Sequence, residues 1–237
     1  MILSTLPVSA TQNLNSTSET NTTEESSSEE IDFSSKRLIV RGSKKELKNE
    51  PVIADVDGVS LLQYESEEEA AEAYDKLSAE NNLIEVDSSV YVAENSDTNP
   101  SDTEIMTEKE NPFSEAEDIK VDKNKYDVAV IDTGANNADK IVSVLGDDGK
   151  DRHGHGQKMI DTIKTYAPDV KILSIKALGD GGSGDASAVY AAIRLAIDEK
   201  VDIINLSISA LASENNFAIE EIIKEAESKG ITSWSSW

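Results

Sequence analysis

Apolar and polar positions alternate along the second half of the chain in a regular way. Residues 128–131 form a short apolar run that ends at a polar turn, which is typical of a strand buried on both faces of a sheet. Further strands are predicted at 170–175 and 201–207, and the apolar repeat predicts helices at 157–166, 186–200 and 214–229. Strands that alternate with helices favour right-handed crossovers. We therefore predict an α/β fold with a doubly wound parallel sheet.

A second, smaller pattern occupies residues 36–95. Short apolar strands are predicted at 37–40, 52–58, 60–64 and 84–94, with one amphipathic helix at 66–81. Ser66 followed by Glu69 forms a capping box at the start of this helix, and acidic residues fill its first turn, where the helix dipole favours negative charge. The pattern predicts a small α+β domain.

The remaining segments lack such patterns. Residues 11–35 are mainly Ser, Thr, Asn and Glu, without Lys or Arg, so they have too little apolar surface to become ordered. The acidic stretch that follows the small domain is interrupted by Pro100 and Pro112, which favours an exposed linker. We therefore predict four segments: a disordered segment 1–35, a small domain 36–95, a linker 96–125 and a larger domain 126–237.

The composition argues against several classes of binding partner and of chemical site. The formal net charge of -25 at pH 7 and a pI of about 4.3 argue against nucleic acid and anionic membranes, which bind clusters of Lys and Arg. The absence of cysteine excludes a thiol nucleophile, a thiolate zinc site and disulfides. No stretch reaches the ~18 apolar residues of a membrane span. Val8-Ser9-Ala10 is typical of a signal cleavage site, which predicts a secreted or cell-surface protein; a true start at Met1 would predict a cytoplasmic one.

Candidate catalytic or ligand-binding residues follow the first buried strand of the larger domain. Asp132 ends this strand, and the carboxyl ends of parallel strands are where ligands and catalytic groups collect. The only two histidines of the chain, His153 and His155, follow shortly afterwards. One interpretation is a metal site formed by Asp151, His153 and His155, because an H-x-H pair on a strand places both rings on one face.

Three strings in this order resemble the subtilisin-like serine proteases. Asp132-Thr133-Gly134 is similar to the family's D-T/S-G, and Gly154-His155-Gly156-Gln157 is similar to its G-H-G-T. Residues 171–209 resemble the strand, Gly-rich loop, helix and strand beside the family's substrate cleft. The resemblance implies that Asp132 and His155 are two members of an Asp-His-Ser triad. In such a triad the imidazole takes the serine proton and the carboxylate fixes the tautomer of the ring.

The resemblance also implies the partners of the site. An extended polypeptide substrate would pair with Gly182, Gly184, Leu206, Ser207, Ile208 and Ser209 by strand addition. The chemistry requires no cofactor, although structural calcium ions are compatible with the family. Residues 36–95 resemble the ferredoxin-like prodomain of subtilases, which acts in the family as a folding chaperone and an intramolecular inhibitor.

Two strings of the family have no counterpart in these 237 residues. They are the A-A-G-N type string with the oxyanion asparagine and the G-T-S-M-A string with the nucleophile. We therefore expect a C-terminally truncated endopeptidase precursor that is inactive, or alternatively an inhibitor or chaperone of a full-length subtilase. A frameshift near Thr232 is a further hypothesis, because TCN serine codons read in another frame would encode an apolar strand.

Overall fold

The computed structural model describes residues 31–80, 82–92, 111–119, 125–210 and 217–235, which belong to one compact unit. The predicted N-terminal tail up to residue 30, with its signal-like string, lies outside the described residues, as does most of the predicted linker. The predicted boundaries of the two folded domains stay predictions. No helix within the described ranges has both the length and the apolar character needed to cross a membrane.

The N-terminal part forms a four-stranded antiparallel sheet with one helix. Its elements are β1 (Arg37–Arg41), β2 (Val52–Val56), β3 (Val59–Gln63), α1 (Glu67–Ala79) and β4 (Ile84–Val86). The strand order is β2-β3-β1-β4. Ser66 caps α1, as predicted, because its Oγ accepts a hydrogen bond of 3.2 Å from the N–H of Glu69. Residues 42–51 form turns where a βαββαβ order would have a helix, so the ferredoxin-like assignment is not confirmed.

The C-terminal part forms a five-stranded parallel sheet. Its strands are β6 (Val128–Asp132), β7 (Lys140–Ser143), β8 (Ile172–Lys176), β10 (Ile203–Leu206) and β12 (Thr232–Ser235), in the order β12-β10-β6-β8-β7. The helices are α3 (His155–Tyr166), α4 (Ala186–Glu199) and α5 (Phe217–Ser228). Strands β6, β8 and β10 and the three helices lie within a few residues of the predicted ones, which is the usual uncertainty of element ends, whereas β7 and β12 were not predicted.

Helices cover both faces of the larger sheet, which explains the uninterrupted apolar run of its central strand β6. Val128 and Val130 pack against Ile160 of α3, whereas Ala129 and Ile131 belong to a larger cluster that includes the apolar residues of α4. Successive residues of a strand point to opposite faces, so both faces of β6 must be apolar. The predicted α/β fold with a parallel sheet is confirmed.

A third, three-stranded sheet joins the two parts. Strand β5 (Ser89–Val92) follows β4 after two residues but leaves the small sheet. It lies between β9 (Ser183–Asp185) and β11 (Ile208–Ala210) and pairs with both in antiparallel register. A strand of the N-terminal part is therefore inserted between two short strands of the C-terminal part.

The prediction of an exposed linker is wrong at residues 112–118. Helix α2 (Pro112–Asp118) begins after Asn111, whose Oδ1 accepts a hydrogen bond of 3.3 Å from the N–H of Ser114. Phe113 is only 1% exposed, and its ring centroid lies 5.3 Å from that of Tyr190 in α4. Proline is favourable in the first turn of a helix, so Pro112 starts this helix instead of breaking the chain, and burial of Phe113 attaches it.

Candidate active site

The end of β6 and the start of α3 bring Asp132 and His155 together. The Nδ1 of His155 lies 2.8 Å from Oδ1 and 2.9 Å from Oδ2 of Asp132. Both residues are buried, with exposures of 1% for Asp132 and 3% for His155. A ring nitrogen beside a carboxylate acts as a donor, so Nδ1 carries the proton and Nε2 is the basic nitrogen of the neutral ring.

Thr133 connects the strand end to the helix start. Its backbone N–H donates to Oδ1 of Asp132 at 2.7 Å. Its Oγ1 accepts a hydrogen bond of 3.0 Å from the N–H of Gly156 and donates one of 2.9 Å to Oδ1 of Asp151. The Thr of the D-T-G string therefore fixes both the carboxylate and the first turn of the histidine helix.

The glycines on either side of this contact are required by close backbone approach. A Cβ on Gly156 would lie 2.2 Å from the carbonyl oxygen of Gly134. Gly134 itself has φ +106°, and a Cβ there would lie 2.4 Å from the carbonyl oxygen of Gly149. Because these contacts are with backbone atoms, they cannot be relieved by a change of rotamer. Glycine at both positions lets α3 approach β6 closely enough for the Asp132–His155 contact.

The second histidine does not join a metal cluster. His153 is an exposed residue, and the centroid of its ring lies 6.4 Å from that of His155. Asp151 accepts hydrogen bonds from the N–H groups of His153 and Gly154 at 3.0 and 2.7 Å. Over the parts of the chain that the structure describes, no group of three or more His, Asp or Glu side chains is arranged to hold a metal ion. The described side chains therefore give no support to the metal-site interpretation.

The glycine-rich loop, which was predicted to bind a polypeptide substrate, contacts β5. The carbonyl oxygen of Gly182 accepts a hydrogen bond of 2.9 Å from the N–H of Val92. Gly184 lies opposite Val90 in the β5–β9 register. A Cβ on Gly184 would lie 2.5 Å from the carbonyl oxygen of Ala177, so this edge of the loop also requires glycine.

The residues predicted to line the opposite side of the substrate cleft do not all lie beside β5. Ile208 and Ser209 lie in β11, directly beside β5. Leu206 instead ends β10 within the larger sheet, opposite Ile131 of β6. Ser207 lies between the two strands, and its Oγ accepts a hydrogen bond of 3.2 Å from Nδ2 of Asn205. Backbone pairing with an extended chain therefore starts at Ile208.

Sequence reasoning missed two buried carboxylates that attach the small sheet to the helices. The Oδ1 of Asp87 accepts a hydrogen bond of 2.7 Å from the N–H of Ser187, and its Oδ2 accepts one of 2.6 Å from Oγ of Ser187. The Oε2 of Glu85 accepts one of 3.1 Å from the N–H of Ala218. These carboxylates cap the N-termini of α4 and α5. The available signal was the i, i+2 spacing of two acids beside an apolar strand, which places them on one face.

Comparison with known proteins gives a family for the C-terminal part. Residues 123–236 match the model described as the subtilase family. The chain is 33% identical over 75 residues to the minor extracellular protease Vpr of Bacillus subtilis (strain 168), covering 32% of this chain and 9% of that protein. It is 33% identical over 122 residues to an intracellular serine protease of Paenibacillus polymyxa, covering 42% and 37%. It is 31% identical over 121 residues to subtilisin DY of Bacillus licheniformis, covering 44% and 43%.

The chain spans less than half the length of each of these relatives. Their names include both an extracellular and an intracellular protease, so they favour neither compartment. The matched segment contains both Asp132 and His155, and it also contains the loop and the strand that flank β5. The resemblance inferred from the sequence motifs is therefore confirmed: residues 123–236 of this chain belong to the subtilase family.

Proposed function

We propose that the subtilase segment carries the acid–base pair of a serine endopeptidase, with His155 as the general base and Asp132 as the carboxylate that orients it. The observation that supports this proposal is the buried contact of 2.8 Å between Nδ1 of His155 and Oδ1 of Asp132. Burial strengthens such a contact, because the surrounding dielectric is low and water does not compete for the carboxylate.

In the proposed reaction, Nε2 of His155 takes the proton from a serine hydroxyl while the serine oxygen attacks the carbonyl carbon of the scissile peptide bond. Asp132 stays ionised and stabilises the imidazolium. The same proton then passes from Nε2 to the leaving amine, and water releases the acyl group by the reverse route. The tetrahedral intermediate also needs hydrogen-bond donors for its oxyanion.

We propose that the 237 residues alone do not complete this reaction, because they contain no string similar to G-T-S-M-A or A-A-G-N. A fluorogenic peptide assay on the purified chain should give the same background rate for the wild type and for His155→Ala. Turnover that His155→Ala abolishes would show that these residues do supply a nucleophile.

The acid–base pair has a test that needs no turnover. A proton shared between Nδ1 of His155 and Asp132 should give a far-downfield resonance in the NMR spectrum of the full chain. Asp132→Asn should remove this resonance, whereas Asp169→Asn, at an exposed position after α3, should leave it unchanged. A wild-type spectrum without the resonance, together with no effect of Asp132→Asn on the His155 ring, would contradict the proposed role.

The insertion of β5 between β9 and β11 supports a second candidate function. We propose that residues 36–95 act as an inhibitor of subtilases that occupies the substrate cleft as an extended strand. Val90 of β5 is buried in the core shared by both parts of the chain, and the caps at Glu85 and Asp87 hold the preceding strand.

Inhibition can be measured with a segment comprising residues 31–95 added to an active subtilisin, after circular dichroism has shown that the segment is folded. Competitive inhibition is expected. Val90→Asp should weaken it, because a charge replaces a buried apolar side chain. A folded segment that does not inhibit would remove this candidate and would leave the acid–base proposal unaffected.

A further inference from the structure

Asp151 is a buried carboxylate that takes no part in the proposed proton transfer. It is 5% exposed. Its Oδ1 accepts hydrogen bonds from Oγ1 of Thr133 at 2.9 Å, from the N–H of His153 at 3.0 Å and from that of Gly154 at 2.7 Å. Its Oδ2 accepts one of 2.8 Å from the N–H of Gln157. One side chain therefore binds both the end of β6 and the first turn of α3.

These bonds replace the usual cap of the histidine helix. The N-cap residue of α3 is Gly154, which has φ +97° and no side chain to accept a hydrogen bond. Two side chains from outside the helix accept hydrogen bonds from its first N–H groups instead. Asp151 accepts from Gln157, and Thr133, itself bonded to Asp151, accepts from Gly156. Because His155 is the first residue of α3, this external cap also sets the direction of its ring.

The charge of Asp151 has a second consequence for His155. The N-terminus of a helix carries partial positive charge, which disfavours an imidazolium at that position and weakens the imidazole as a base. A carboxylate at the same end offsets this effect. Burial acts to raise the pKa of Asp151, but the hydrogen bonds from Gln157, Gly154 and Thr133 outweigh it and hold the pKa below its usual value. The side chain is therefore ionised at neutral pH.

We propose that Asp151 is a positioning residue for His155: it holds the ring against Asp132, and its charge offsets the dipole of α3, so that His155 is a stronger base. This inference rests on the proposed function of His155. Other ionisable groups nearby are Asp132 itself, His153 and Lys176, which lies opposite Asp132 on β8. All three are retained in the variants below.

The test is an NMR titration of the histidine rings in the full chain, for the wild type, Asp151→Asn and Asp151→Ala. Asp151→Asn keeps an oxygen for the three donors to Oδ1 but removes the charge. We expect it to retain the downfield Nδ1 resonance and to lower the midpoint of the His155 titration by about one pH unit. Asp151→Ala should lower the midpoint at least as far and should also remove the resonance, because the ring is no longer held.

Asp139→Asn is the matched control. Asp139 is also a loop carboxylate with several donors, namely the N–H of Ile172 at 3.0 Å and the Nζ atoms of Lys164 and Lys171, both at 3.2 Å. It lies at the opposite, amino end of β8, so its loss should lower stability without changing the His155 titration.

The outcomes separate this inference from the function on which it rests. If both Asp151 variants titrate like the wild type, or if Asp139→Asn lowers the midpoint of the His155 titration equally, Asp151 is not a positioning residue. Neither result contradicts the proposed Asp132–His155 pair. If the wild type lacks the downfield resonance and Asp132→Asn changes nothing, the proposed function itself fails. Should Asp151→Ala not fold, the near-isosteric Asp151→Asn decides the question.

Discussion

Glu85 should make the stability of this chain depend on pH. The residue is 2% exposed; its Oε2 accepts one hydrogen bond, and its Oε1 has no partner among the described residues. Burial is the largest cause that raises the pKa of Glu85 to about 8, and the neighbouring carboxylates of Asp87 and Glu220 act in the same direction. The N–H groups of Ala218 and Phe217 act against them.

The sign and size of the effect follow from the difference between folded and unfolded chain. An unfolded glutamate titrates near 4.5, so the folded chain holds the Glu85 proton more tightly. The resulting stabilisation is fully present below about pH 4.5 and is lost as the pH rises through about 8. At about 1.4 kcal/mol per unit, the roughly three units between pH 5 and pH 8 correspond to at most about 4 kcal/mol. The pKa of about 8 already includes the hydrogen bonds that favour the ionised form, and at pH 8 about half of the folded chains still hold the Glu85 proton, so we expect about 2 to 4 kcal/mol.

The perturbation is Glu85→Gln, which keeps the shape and the acceptor but cannot ionise. The assay is urea unfolding of the full chain at several pH values from 5 to 8. The variant should resemble the wild type near pH 5 and exceed its free energy of unfolding by about 2 to 4 kcal/mol at pH 8. Glu72→Gln, at an exposed position of α1, should leave the wild-type profile unchanged. Parallel profiles for the wild type and Glu85→Gln would refute the reasoning.

Two substitutions test the packing around the site. Gly156→Ala places a Cβ 2.2 Å from the carbonyl oxygen of Gly134 and should cost more than about 2 kcal/mol in urea unfolding. Gly179→Ala meets only an oxygen at 3.4 Å and should cost less than about 1 kcal/mol, so equal costs would contradict the steric argument. Phe113→Ala removes the buried ring beside Tyr190 and should cost about 3 to 5 kcal/mol in thermal or urea unfolding; a cost below about 1 kcal/mol would mean that α2 is not attached through this ring.

The elements that sequence analysis predicted are those with a strong hydrophobic period. The apolar run of β6 and the repeats of α3 and α4 are visible in the sequence because packing on neighbouring layers determines each of their positions. Strands β7 and β9 were missed, since they have only four and three residues and are held by main-chain pairing with longer strands. Strand β12 has the polar sequence Thr232–Ser235, yet it pairs with β10 along its full length. Backbone pairing of this kind does not require apolar side chains, so the hydrophobic pattern of the sequence does not indicate it.

The candidate site and its surroundings likewise contain contacts that the sequence predicted and contacts that it did not. The Asp132–His155 pair was predicted because short strings with glycines at fixed positions carry it, and close backbone approach requires those glycines. The caps at Glu85 and Asp87 were not predicted, because the hydrogen bonds join residues about 100 or more positions apart, as in the contact of Asp87 with Ser187. Which helix N-terminus a carboxylate meets depends on the docking of two sheets, and the sequence alone does not contain that geometry.

The burial of α4 shows that the two parts of the chain depend on each other. All of its residues except Asp198 are buried, so the helix needs neighbouring elements on every side. The larger sheet covers one side through Ala129 and Ile131, whereas Ile39 and Leu61 of the small sheet belong to the same cluster. Detachment of the small sheet would expose apolar residues of this cluster and leave the N–H of Ser187 without its cap. Docking of residues 37–92 therefore contributes to the stability of the subtilase segment, in addition to placing β5 between β9 and β11.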